Sequence, residues 1–259
     1  MNIKKIDFIL LITFPILASI ISLTLNVNFF YGTLLFFGVP SLYLSIRNKK
    51  VALKTFLFSL IFAAPLALIS DYIASISGTW LIETSALLGF RFFGIVSPEG
   101  VIWGFFYIYF VIIFYEHFID KGKNKLVVGN FKYIVLFIII LLAVFLLALY
   151  KNSSLLNIKY FYLIYWGGIM VILPIVSFFS FFPENASKFI KVGVYFFVLT
   201  ILYELVALKL GHWSFPGKHF IGWVELFGLG FPFEEFFYWI ILGAVATLSW
   251  YEFFADDKK

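Results

Sequence analysis

Eight runs of apolar residues, each close to the roughly 20 that a helix needs to cross a bilayer, leave this chain few ways to fold: about 8–25, 29–46, 53–75, 100–119, 131–150, 160–182, 191–209 and 233–253. In hydrocarbon a backbone must satisfy its own hydrogen bonds, so each run is expected as a helix. Apolar residues make up 63% of the chain and charged residues 13%, against about 45–50% and 25% in ordinary soluble domains. Mean hydropathy is +1.03. The expected fold class is all-α, a polytopic membrane protein of about eight transmembrane helices. The first run follows Lys4 and Lys5 and so competes with a signal peptide, but it is long and no small-residue cleavage site follows it.

The cations set the orientation. With the N-terminus in the cytoplasm, 14 of the 19 Lys and Arg residues fall on cytoplasmic segments and five fall outside. That bias favours an even number of spans, with both termini cytoplasmic in a cell membrane. Two connections, 76–99 and 210–232, are long and face outward, and they carry Gly, Trp and Phe rather than Ser, Asn and Lys. Connections of this kind are expected to fold back as interfacial or re-entrant pieces and to carry function.

The two connections also resemble each other. Asp71, Gly78, Trp80 and Gly89 recur 133 residues later as Glu204, Gly211, Trp213 and Gly222. Phe93-Gly94 recurs as Phe227-Gly228, Glu99 as Glu234, and Tyr115-Glu116 as Tyr251-Glu252. The rare residues carry the match. The chain therefore reads as two four-helix repeats, 1–128 and 129–259, with the acidic motif degenerate in the first. An even number of spans per copy makes them parallel repeats about an axis along the membrane normal.

Several chemistries lack their residues. Cys is absent, and none of the three His pairs with another at i, i+3 or i+4, so no metal site is expected. Neither a G-x-G-x-x-G nor a G-x-x-x-x-G-K-[ST] motif occurs, so no nucleotide cofactor is expected. The net charge of +5 follows the membrane topology and does not point to nucleic acid.

Acids stand out against this background. Asp71, Glu99, Glu204, Glu234 and Glu235 fall in or at the edge of the outer half of a span. An ionised carboxylate in hydrocarbon costs about 2.5 kcal/mol or more, so such residues usually face a cavity. Pro232-Phe233-Glu234-Glu235 opens the last helix, where Pro and acids suit the first turn. Neighbouring helix residues point about 100° apart, so only one of Glu234 and Glu235 can face a cavity squarely. A carboxyl group in an apolar pocket keeps its proton and can give it to an alkene. The resulting carbocation is stabilised by aromatic faces. Phe236, Phe237, Tyr238 and Trp239 follow the glutamates, and Trp103, Phe105, Phe106 and Tyr107 hold the equivalent place in the first copy. A second, ionised carboxylate would remove a proton from an adjacent carbon. His212, beside Trp213, is a candidate proton relay. His117 is expected at a helix end and His219 in a loop.

Pro232-Phe233-Glu234-Glu235-Phe236-Phe237 resembles the P-x-E-E-x-x-F-F signature of the non-flavin lycopene cyclases, which are small membrane proteins found as heterodimers or as fused two-domain chains. The upstream order agrees: an acid, nine residues, Trp80 or Trp213, Gly, the acidic motif, then a helix ending Tyr-Glu. The resemblance covers about 55–118 and 190–254. It implies a cofactor-independent isomerase (intramolecular lyase) of carotenoid biosynthesis that closes the ends of lycopene into β-rings without net redox change. The catalytic residues carried over are Glu234, Glu235, Glu99, Asp71 and Glu204. Trp80, Trp213, Trp103, Phe236, Phe237 and Tyr238 are expected to bind substrate. The partners implied are an apolar polyene arriving from the bilayer, membrane lipid, and either a second copy or other enzymes of the pathway. The first copy departs from the signature: Ser97 replaces Pro, and Gly100 replaces the second Glu.

Three other readings compete. A retinal protein needs a Lys in the last helix, and 233–253 contains none. A prenyltransferase needs Asp-rich motifs for magnesium and diphosphate, and only Glu116-x-x-x-Asp120 has an i, i+4 spacing, on the cytoplasmic side. A proton-coupled transporter fits the repeats and the membrane acids, but its midplane site requires a broken helix, and none is expected from the sequence.

Overall fold

The structure, a computed structural model, describes residues 3–82, 89–121 and 129–256. Of the cations counted above, Lys123, Lys125, Lys258 and Lys259 lie outside the described residues, as does the junction at 128 between the two expected repeats. Among the described residues, eight membrane-length helical segments run α1 (Ile3–Leu25), α2 (Phe29–Arg47), α3 (Lys49–Ser77), α4 (Pro98–Asp120), α5 (Phe131–Asn152), α6 (Tyr162–Phe181), α7 (Ala186–Lys209) and a bent α8 (Glu235–Phe254). Seven are long and apolar enough to cross a membrane unbroken, and α8 makes an eighth when its halves, Glu235–Ile241 and Gly243–Phe254, are taken together. The protein is an all-α polytopic membrane protein.

Local chemistry sets the helix ends. Asn28 caps α2 by accepting from the Tyr31 N–H at 3.0 Å. Ser97 caps α4 by accepting from the Gly100 N–H at 3.2 Å, with Pro98 at the first helical position. Gly78 ends α3 in the left-handed conformation, with φ 68°.

Among the described residues four stretches are π-helical: Leu34–Gly38 in α2, Glu116–Asp120 in α4, Tyr162–Ile172 in α6 and Glu235–Ile241 in α8. The expectation that no span is broken does not hold. The two halves of α8 meet at 51°. The cause is local. The π register ends at Leu242, and Gly243 lies so close to α4 that a Cβ there would sit 2.8 Å from the Tyr107 hydroxyl.

Among the described residues, the connections 76–99 and 210–232 are built on hairpin turns, and Trp80, Ile82, Trp213 and Phe215 from them line the cavity of the bundle. The second folds as an antiparallel hairpin, β1 (Trp223–Leu226) with β2 (Leu229–Pro232), turning at Phe227-Gly228. The first makes a smaller turn at Phe93-Gly94, closed by a bridge between Phe92 and Val96. Both turns have positive φ at Phe and at Gly: 51° and 75° in the first, 52° and 75° in the second. Two positive φ values are what a type I′ hairpin requires.

Positions that the sequence relates by an offset of 133 to 136 meet repeatedly. α1 packs on α7, and α5 packs on α3, so the first helix of each half lies against the third helix of the other. At the loop end, Leu81 and Ser214, 133 positions apart, pair through reciprocal backbone hydrogen bonds of 2.9 and 3.0 Å. At the end that carries the chain termini, Tyr251 of the second half donates to Glu116 of the first. α4 lies in the middle and is mostly buried, whereas α1, α5 and α6 are mostly exposed and present their sides to lipid.

Candidate active site

Between α3, α4, α6 and α8, under the two tryptophans of the loop end, lies a cavity of about 110 Å³. It is of the same order as the ~150 Å³ engineered cavity that takes up a benzene ring, so it suits one ring-sized end of a molecule. Its wall is aromatic. Trp80, Trp103, Tyr107, Tyr162, Trp213 and Trp239 all contribute. Tyr107 and Trp239 are 3.8 Å apart between ring centroids, and Trp103 and Trp239 are 4.8 Å apart.

Two carboxylates line this space, Asp71 from α3 and Glu235 from α8. Asp71 accepts from Trp80 Nε1 at 3.0 Å through Oδ1, while Oδ2 is buried without a hydrogen-bond partner. The space that Oδ2 fills explains Gly100: a Cβ at that position would lie 2.3 Å from it. Glycine at position 100 therefore makes room for the Asp71 carboxylate. Glu235 accepts a hydrogen bond from the Tyr162 hydroxyl through Oε2. That leaves Oε1 for the cavity.

The other three acids stand back from the lining. Glu204 is fully buried in α7, where it accepts from Trp213 Nε1 at 3.1 Å, the same bond that joins Trp80 to Asp71. It is near enough to Glu235 for the two charges to interact. Glu234 turns the other way and accepts from the Ile221 backbone N–H at 2.8 Å, tying the loop before β1 to the start of α8. Glu99 is buried in the first turn of α4, where the helix dipole favours an acid.

The expected substrate-binding residues divide as well. Trp80, Trp103, Trp213 and Tyr238 line the cavity, and Phe236 and Phe237 do not. Phe236 packs on Phe231 and Phe197, and Phe237 stacks on Phe233 with centroids 5.8 Å apart. The π-helical start of α8 aims Glu235, Tyr238 and Trp239 inward, and these two rings fall on its other side.

Tyr162, Phe29, Trp166, Met170 and Trp250 also line the cavity, although no motif singled them out. The repeat holds one signal that could have found the first two, because Tyr162 follows Phe29 by the same 133 positions that relate Trp213 to Trp80.

The histidines lie apart. His212 Nε2 bonds the Val27 carbonyl at 2.9 Å and its Nδ1 is buried without a partner, so it contacts none of the five acids. Burial holds its imidazole below the usual histidine value, and the bond to Val27 opposes that shift. His117 bonds Asp7 at 3.0 Å, and His219 packs on Tyr160. Carboxylate oxygens of Glu116, Asp120 and Asp256 lie within 4.8 Å of one another at the end that carries the termini. The Lys54 ammonium already bridges two of them, at 2.6 Å from Glu116 and 3.0 Å from Asp256.

No family model, curated protein or solved structure matches this chain.

Proposed function

We propose that this protein is a cofactor-independent carotenoid cyclase that closes the end of lycopene, or of a similar polyene, into a β-ring. The observation that carries this reading is the cavity: ring-sized, walled by Trp and Tyr, with a carboxylate from each half of the chain on its lining. Burial away from water favours the protonated form of a carboxyl group. Glu235 gives its proton to the terminal alkene, and a carbocation forms. The neighbouring double bond attacks it, closing the ring and moving the positive charge along the chain. The aromatic wall stabilises each cation without trapping it. The Asp71 carboxylate removes a proton from the adjacent carbon, which restores an alkene. One proton is added and one lost, and a transfer from Asp71 back to Glu235 resets the site. Substrate enters sideways from the bilayer, since the polyene has no aqueous phase to come from. The positive-inside bias supports an orientation with both termini in the cytoplasm.

Expression in a bacterium that already makes lycopene tests this directly. The expected outcome is conversion to γ- or β-carotene, separated by chromatography. Lycopene left unchanged, with the protein in the membrane, would overturn the assignment.

The bend in α8 favours a second reading. Broken helices beside membrane acids are a feature of transporters. A proton-coupled transporter would need a proton gradient and would leave its cargo chemically unaltered, whereas a cyclase works in gradient-free detergent.

A further inference from the structure

The two halves of the chain carry an internal comparison. Phe29 in α2 and Tyr162 in α6 are 133 positions apart, and both line the cavity. Each packs on a tryptophan of the opposite half: Phe29 on Trp213 with centroids 5.8 Å apart, and Tyr162 on Trp80 at 5.3 Å. The ring is common to both positions, so packing accounts for the ring. The hydroxyl is not common. It is present in the half whose motif ends in Glu235 and absent in the half where Gly100 stands at the matching position. Where the carboxylate is missing, the hydroxyl is missing too.

The geometry gives the reason. Tyr162 is 5% exposed, and a buried hydroxyl needs a partner. Its partner is Glu235 Oε2. A phenol has one proton to donate. Once it is given to Oε2, the proton of the neutral carboxyl group belongs on Oε1, the oxygen left for the cavity. Tyr162 and Glu235 are also the first residues of the two longest π-helical stretches, Tyr162–Ile172 and Glu235–Ile241. Such stretches are frequent at functional sites.

We infer that Tyr162 is a positioning residue for proton delivery: it holds Glu235 so that Oε1 presents the proton to the polyene, and it then stabilises the carboxylate left behind. This rests on the cyclase reading above.

The test compares wild type and Tyr162→Phe in isolated membranes, with lycopene as substrate and over a range of pH. The expected result is a fall in kcat of about tenfold to a hundredfold at unchanged KM, smaller than the about 10²–10⁴ that loss of a general acid costs. The alkaline limb of the pH–rate profile should move to higher pH, because a donor to the ionised form has been removed. An unchanged kcat and profile, or a change in KM alone, overturns the inference. Should the Phe variant fail to fold, a fluorinated tyrosine at 162 keeps the ring and strengthens the donor. The alkaline limb must then move to lower pH, and an unmoved limb overturns the inference. Infrared difference spectra give a readout that needs no substrate. The carbonyl band of Glu235, located by its loss in Glu235→Gln, must shift in Tyr162→Phe. This separates the two failures: unconverted lycopene with a shifted band sinks the cyclase reading alone, and an unshifted band sinks the role of Tyr162.

Discussion

Glu234 and Glu235 are neighbours in sequence and are set to different work by helix rotation. Glu235 lines the cavity, and Glu234 holds the Ile221 N–H. Replacing Glu235 by Gln removes the proton donor, and turnover of lycopene should fall by about 10²–10⁴. Glu234→Gln keeps an acceptor for Ile221 and should retain most of the turnover. Glu234→Leu removes this tie between the loop and the start of α8 and should lower the melting temperature in detergent. A Glu234→Gln protein as inactive as Glu235→Gln would place the chemistry on the wrong glutamate here. The sequence made it clear that only one of the pair can face a cavity, because rotation per residue is fixed. It could not show which one, because that depends on the π register of Glu235–Ile241, and hydrogen-bond register leaves no mark on composition. Phe236 and Phe237 illustrate the same point, since an ordinary helical count from the motif does not say which of its rings turn inward.

At the level of helices, hydropathy is nearly sufficient. The run at 29–46 is α2, Phe29–Arg47, and the run at 131–150 is α5, Phe131–Asn152. Lipid demands length and apolarity, and both are written in the residues themselves. The departures from α geometry are not written there, because they follow from how closely two helices approach. Gly167 is the clearest case. It lies in the π-helical part of α6 under the Tyr238 ring of α8, and a Cβ there would fall 2.3 to 2.7 Å from three ring atoms. Gly167→Ala must therefore displace Tyr238 from the cavity wall or push α6 from α8. Overpacking of this kind typically costs about 1–3 kcal/mol. The variant should melt earlier and lose turnover together. An alanine variant with wild-type stability and activity would mean that α6 and α8 do not pack this closely in the membrane.

The whole molecule raises the question of why one chain carries both halves. The cavity takes Asp71 and Trp80 from the first half and Glu235 and Tyr162 from the second, so neither half lines it alone. The packing is crossed as well, α1 on α7 and α5 on α3, and at the end carrying the termini Lys54 bonds Asp256 while Tyr251 bonds Glu116. A half made alone would leave those faces without partners and strand buried charges; losing one member of a buried ion pair typically costs about 3–5 kcal/mol. Cutting the chain between 121 and 129 should therefore separate two pieces that are each unstable and that rebuild the site only together. Co-expressed, the pieces 1–121 and 129–259 should copurify through a tag on one of them and convert lycopene. Expressed singly, each should be degraded or aggregated. A second half that accumulates by itself as a well-behaved protein and cyclises lycopene would show that Asp71 is not the base, and would reduce the first half to a scaffold.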